Sequence, residues 1–305
     1  MERNSWHAFR MGLLHTARYR WLLLVLFAVN LISALPLTVL PALGLASGMA
    51  QRPVIHQVAD GLDAWLVVET LMAPVSDVAL EIVGESESTR WVRQATMLGL
   101  ITVLTLPLVA WLPTAFLTGG LLLTYAEAPL SFVELRTAPF RWRRFLWGCW
   151  RWFGVFLLLS VVQATVSTVL FVPIIGAAIG AIACVGGWLA WIVVPLLVLL
   201  LVLWLALMEY IRIAAVVSQT RDIFQAFTKA VGFVFRNLPA VAGLYGLALL
   251  LLGLLHALYR WGLLPHLPLD WWPVVLVLQQ AFILARLWAR LVRLAGGVAL
   301  YRASV

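Results

Sequence analysis

Lysine is almost missing from this chain of 305 residues: Lys229 stands alone against twenty arginines, and charged residues of both signs make up only 11%. So thin a charge density is outside the range of soluble globular proteins. Cysteine is down to two, Cys149 and Cys184. They fall at opposite ends of their apolar runs, so no disulfide and no cysteine metal site is expected. The five histidines, His7, His15, His56, His256 and His266, form no HExxH or HxxxH pair, and no zinc or calcium ligand spacing occurs. Acidic residues are absent from the middle of every apolar run. Carboxylate catalysis and proton relays therefore have nothing to work with, and the chain is expected to be no enzyme, with no catalytic residue, metal or cofactor.

What remains is apolar. Hydrophobic residues reach 64% and tryptophans number sixteen. The expected fold class is an all-α integral membrane protein. Crossing roughly 30 Å of hydrocarbon takes about 20 apolar residues, and six runs qualify, near 21–43, 95–122, 146–171, 184–208, 240–259 and 273–296. With the N-terminus in the cytoplasm, seventeen of the twenty-one basic residues lie on the cytoplasmic side, leaving Arg52, Arg90, Arg93 and Arg260 outside. The positive-inside rule is then met loop by loop, with both termini cytoplasmic. The formal charge of +8 is this asymmetry facing anionic headgroups, about 1 kcal/mol per basic residue near the surface. No nucleic-acid partner is needed to explain it. One lysine against twenty arginines is the bias of a GC-rich bacterial source, so the expected location is a bacterial cytoplasmic (inner) membrane. A cleaved signal peptide is not expected, because the first apolar run is longer than a signal core of about 7–15 residues.

Three amphipathic leads precede the first, third and fifth runs: SWHAFRMGLLHTARYRW, SFVELRTAPFRWRRFLW and DIFQAFTKAVGFVFRNLP. In each, an aromatic is followed three residues on by Phe or Leu and twelve on by Arg, giving Trp6, Phe9, Arg18, then Phe132, Leu135, Arg144, then Phe224, Phe227, Arg236. Gly119-Gly120 with Tyr125, Ala214-Ala215, and Gly296-Gly297 with Tyr301 sit at corresponding far ends. The pattern suggests one membrane domain over 1–305 built from repeats at 1–125, 126–218 and 219–305, each an interfacial helix and a pair of spans. Pro239 is placed to open a helix. Pro36 and Pro41 should bend the first span at its outer end, and IIGAAIGAIACVGG reads as a small-residue turn. Residues 44–93 hold seven acids against three arginines. They read as acidic extracytoplasmic helices broken near Pro74, resting on the outer interface. The alternatives are a lid, a docking surface or a weak cation site at His56, Asp60 and Asp63.

The sharpest single feature lies in the last run, where Arg286, Arg290 and Arg293 recur on one helix face that Gln279 continues. Arg286 falls about 20 Å in from Pro273, where an arginine costs roughly 2.5 kcal/mol or more unless it snorkels or finds a partner. One reading is a snorkelling end paired with Glu209, Glu127 or Glu134. The other is a site for an anionic lipid headgroup or substrate, since arginine suits bidentate phosphate contact. Ser160, Gln163, Thr165, Ser167 and Thr168 are expected to bond between helices. His256 is read as hydrogen-bonded structure, with a haem or pigment ligand as the alternative.

The lead-then-span pattern, clearest in DIFQAFTKAVGFVFRNLP and SWHAFRMGLLHTARYRW, resembles bacterial multi-span proteins akin to the membrane domain of some glycerophosphodiester phosphodiesterases. The resemblance implies a membrane module without catalytic residues of its own. It departs from those enzymes in showing no soluble catalytic domain. Two functions follow as expectations. The first is a non-enzymatic membrane subunit or scaffold packing with lipids and with other membrane protein subunits. The second is a transporter or lipid-handling protein holding an anionic headgroup at Arg286, Arg290 and Arg293.

Overall fold

The computed structural model describes residues 4–46, 112–137, 139–263 and 272–304, and every regular element among them is helical. Two compact units are distinguished, Met1–Phe27 with Pro113–Val305, and Ala28–Leu112. Most of the second unit, including the acidic segment expected over 44–93 apart from its first three residues, lies outside the described residues.

The helices are α1 (Ser5–Arg18), α2 (Arg20–Ala46), α3 (112–127), α4 (Phe132–Thr137), α5 (Trp142–Val185), α6 (Ala190–Val217), α7 (Ile223–Arg236), α8 (Leu238–Ala257) and α9 (Trp272–Arg302). Four stretches are long and apolar enough to cross a membrane: Trp142–Ala178, Ala190–Val217, Leu238–Leu263 and Val274–Arg302. Counting the α1–α2 pair, bent by 76°, as one span makes five.

The expected leads form in two of three cases. Asn4 caps α1 by accepting from the Trp6 amide, and Asp222 caps α7 by accepting from Phe224 and Gln225, so each lead begins as a separate helix. Asn237 then ends α7, and Pro239 stands in the first turn of α8, where its missing N–H costs nothing. The second lead does not form one helix. It is split into the six-residue α4 and the first turns of α5, with Pro139 in the break. Pro139 has no N–H to carry on the helical ladder of α4, so the lead divides at the proline.

One more expectation is corrected. The run IIGAAIGAIACVGG is no turn over most of its length, because α5 stays helical to Val185 and the chain turns only at Gly186, φ 118°. Alanine and isoleucine supply no turn chemistry, and only a glycine adopts that φ without strain. α2 runs through Pro36 and Pro41 to Ala46 as one helical segment.

The core of the first unit lies at the end that carries the leads. Trp152, Tyr125, Tyr210, Phe145 and Phe156 are fully buried there. At the other end, side chains such as Trp191, Leu199, Leu254 and Trp261 are bare. Small residues make the core possible, because lipid removes any hydrophobic drive between spans and close van der Waals contact takes its place. α1 lies against α9 with Gly12 on the Val292 carbonyl and Gly296 facing Ala8. His15 bonds the Pro129 carbonyl through Nε2, and Arg302 donates to Ala128, tying α1 and the end of α9 to the loop after α3. Nearby, burial pushes the Tyr125 phenol well above its usual pKa, so it stays neutral at any physiological pH.

A Cβ at Gly12 would overlap the Val292 carbonyl oxygen and come within 3.0 Å of the Gly296 nitrogen. Gly12→Ala is therefore expected to destabilise the folded protein by about 1–3 kcal/mol, the usual cost of overpacking. A thermal melt in detergent checks it, with Gly154→Ala as the control, since nothing lies within 4 Å of a Cβ there.

Candidate functional site

Polar side chains meet inside the bundle where α5, α6, α8 and α9 come together. α6 carries Glu209, Tyr210 and Arg212 near its C-terminal end, and α9 brings Arg290 and Arg293 to it. Glu209 and Arg293 form an ion pair at 2.9 Å, the carboxylate side chain 12% exposed and the guanidinium 35%. Arg293 also lies 5.2 Å from the ring centre of Tyr245 on α8, a cation–π contact.

Arg212 takes neutral partners. Its Nη2 donates to Gln163 Oε1 at 2.8 Å and to Ser160 Oγ at 3.3 Å, both on α5. One turn further along α5, Ser167 accepts from Trp204 Nε1 at 2.9 Å. Of the five residues expected to bond between helices, Ser160, Gln163 and Ser167 do so, Thr165 and Thr168 making no such bond among the described residues, and these bonds join α6 to α5.

Glu209 is within electrostatic reach of Arg212, Arg290 and Arg293 alike. Arg290 has no hydrogen-bond or ion-pair partner among the described residues, and the residue is exposed on α9 although protein surrounds its guanidinium. Three guanidinium charges therefore share one carboxylate. The hydroxyls of Tyr210 and Tyr245, 0% and 6% exposed, reach no hydrogen-bond partner, nor does Arg293 Nε. Tyr245 stands beside Glu209 without completing a hydrogen bond to it. Buried polar atoms are ordinarily satisfied, so the cluster is rich in donors and short of acceptors.

The other residues singled out in the sequence lie elsewhere. Arg286 packs its guanidinium 5.8 Å from the ring centre of Phe282. Phe282 in turn touches His256 edge-on and stacks on Tyr259. His256 Nδ1 is 3.0 Å from the Leu252 carbonyl, the local bond of a helical histidine. Glu127 pairs with Arg144 at 2.6 Å, not with Arg286, Arg290 or Arg293. Glu134 is exposed on α4. Among the described residues no three His, Cys, Asp or Glu side chains gather as a metal site. No family model matches the chain, and no curated protein or solved structure is similar to it. The resemblance expected from the lead-then-span pattern gains no support from these comparisons.

The place of Arg212 in this cluster, bonded to a neighbouring span rather than to a lead, is not legible in the sequence. Arg212 stands at the end of an apolar run where an arginine is unremarkable, and its partners Ser160 and Gln163 are 52 and 49 residues away on another helix. The only hint was that Gln163 is a primary amide within a span, where polar groups need partners.

Proposed function

We propose that this chain is a lipid-handling membrane protein that holds an anionic headgroup at Arg212, Arg290 and Arg293. The observation that carries the reading is the imbalance just described, three arginines around Glu209. An uncompensated charge in a helix bundle is costly, and an anion that supplies acceptor oxygens relieves that cost. Arginine is suited to such an anion because its fork donates two parallel hydrogen bonds to phosphate. Arg286, with its guanidinium over Phe282, serves as an outer neighbour of the site.

The surrounding architecture in this reading has six spans in three pairs, both termini and the arginine-rich core end on the cytoplasmic face, and the leads lying in the interface. It sits in a bacterial inner membrane, and no reaction is catalysed. The bare Phe224, Phe227 and Phe235 of α7 support the interfacial placement, since the helix turns Ala226, Ala230 and Val234 inward and leaves the phenylalanines exposed. At about 24 and 28 Å along α9 from Val274, Arg290 and Arg293 fall at headgroup depth.

A second reading is favoured by the bare half of the bundle. Only 11–22% of the apolar windows of the four candidate spans is buried within the chain, as a subunit or scaffold covered by other membrane proteins would show. Native mass spectrometry of protein extracted gently from its own membrane separates the two. Wild type is expected to carry an anionic lipid that Arg290→Gln loses. A stoichiometric protein partner retained by both forms, with no lipid difference, would overturn the headgroup reading in favour of the scaffold.

A further inference from the structure

Granting the headgroup site, its charge and its shape say more about what fills it. Arg212, Arg290 and Arg293 bring three positive charges and Glu209 one negative, leaving two in excess. Arg212 spends its hydrogen bonds on Gln163 and Ser160, which cancel no charge. Arg290 has no partner among the described residues to spend them on. The unpaired groups, Arg293 Nε and the hydroxyls of Tyr210 and Tyr245, each have a proton to donate. A single phosphodiester oxygen pair would answer one arginine and leave the other charge bare. We infer that the site takes a dianionic phosphomonoester headgroup, which matches both charges and offers three acceptor oxygens.

The same placement favours a lipid over a free anion. Arg290 is an exposed residue of α9, and the face of α9 that carries it continues towards the N-terminus through Ile283 to the exposed Leu276, recurring every seven residues. A headgroup at Arg290 thus has an apolar stripe beside it on which an acyl chain can lie. Glu209 has a definite part: it holds Arg293 in place while the site is empty, and its single charge sets the excess at two.

The test uses full-length protein in a neutral mild detergent at pH 8, titrated with phosphatidic acid, phosphatidylglycerol or inorganic phosphate and read by native mass spectrometry. Arg290→Gln and the charge-keeping Arg290→Lys are run beside the wild type, Arg290 being exposed and unpartnered so that neither change threatens folding. Phosphatidic acid is expected to bind at least tenfold tighter than phosphatidylglycerol. Arg290→Gln should erase most of that preference and Arg290→Lys keep it. Equal binding of the two lipids, both weakened by Arg290→Gln, would leave the headgroup site standing and overturn the dianion assignment. Binding insensitive to Arg290→Gln would overturn both. Competition by inorganic phosphate at concentrations similar to phosphatidic acid would assign the site to a free phosphate and overturn the lipid.

Discussion

Glu209→Gln is expected to lower the thermal midpoint and, at the same time, to tighten the hold on anionic lipid. The two effects have one cause. Glu209 is the carboxylate within reach of Arg212, Arg290 and Arg293, and its pair with Arg293 at 2.9 Å is the ion pair of the cluster. Neutralising it leaves three guanidinium charges unopposed. Breaking a fully buried pair costs about 3–5 kcal/mol. Arg293 keeps 35% of its side chain exposed, so solvent or headgroups screen part of that charge and about 1–3 kcal/mol is the expected loss here. Anion binding runs the other way, because the excess charge rises from two to three. Added phosphatidic acid should accordingly restore the midpoint more in Glu209→Gln than in the wild type, since a ligand that binds only the folded form stabilises it by mass action. Arg293→Gln in the Glu209→Gln background should recover much of the lost stability while weakening lipid binding, and that double-mutant cycle isolates the pair. A midpoint unchanged by Glu209→Gln, with unchanged lipid retention, would remove the cluster as an electrostatic unit.

Gly120→Val is expected to do more damage to the fold than any change in the arginine cluster. A Cβ on Gly120 would stand 2.5 Å from Cys149 Sγ and 2.7 Å from the Phe145 carbonyl oxygen, and one on Gly119 2.7 Å from the Gly148 carbonyl oxygen. α3 and α5 thus meet backbone to backbone, with Trp152 and Phe145 buried alongside. A backbone carbonyl cannot step aside as a side-chain tip can. Valine adds two methyl groups beyond the Cβ, so the helices must separate, and in lipid no hydrophobic gain elsewhere offsets lost packing. About 3 kcal/mol, the upper end of overpacking, is the expected loss, which a protein of ordinary stability barely survives. Gly120→Val should therefore melt well below wild type or elute as aggregate on size exclusion. Gly176→Val is the matched control: it is also helical, but nothing lies within 4 Å of its Cβ, and it should behave as wild type. Equal behaviour of the two variants would show that α3 and α5 do not touch in this way.

Much of this organisation is legible in the order of residues. Helical class follows from the long apolar runs, and the start of α8 follows from Pro239, because a proline at the first turn gives up nothing. The apolar spacing of the third lead announced α7 as a helix ahead of its span. What was misread depended on competition between local signals. Pro139 cut the second lead in two although its aromatic and arginine spacing matched the other leads, and the small-residue run 174–187 stayed helical because only Gly186 takes a positive φ.

The arginine stripe shows where reading along the chain ends. Spacing of four and three residues places Arg286, Arg290 and Arg293 on one face of a helix, and that much is fixed by 3.6 residues per turn. Which of them has a partner is decided across helices. Arg293 meets Glu209 from α6, Arg290 is left open, and Arg286 lies over Phe282. Glu127, equally acidic, is taken by Arg144. Arg212 enters the cluster only because Ser160 and Gln163 draw α5 against α6. The sequence by itself determined a helical chain of membrane-spanning character, its amphipathic leads and the glycines that permit close contact, since these follow from local periodicity and composition. Tertiary structure alone decided that three arginines share one carboxylate, because charge balance in a bundle depends on contacts between residues far apart in the chain, which no local pattern encodes.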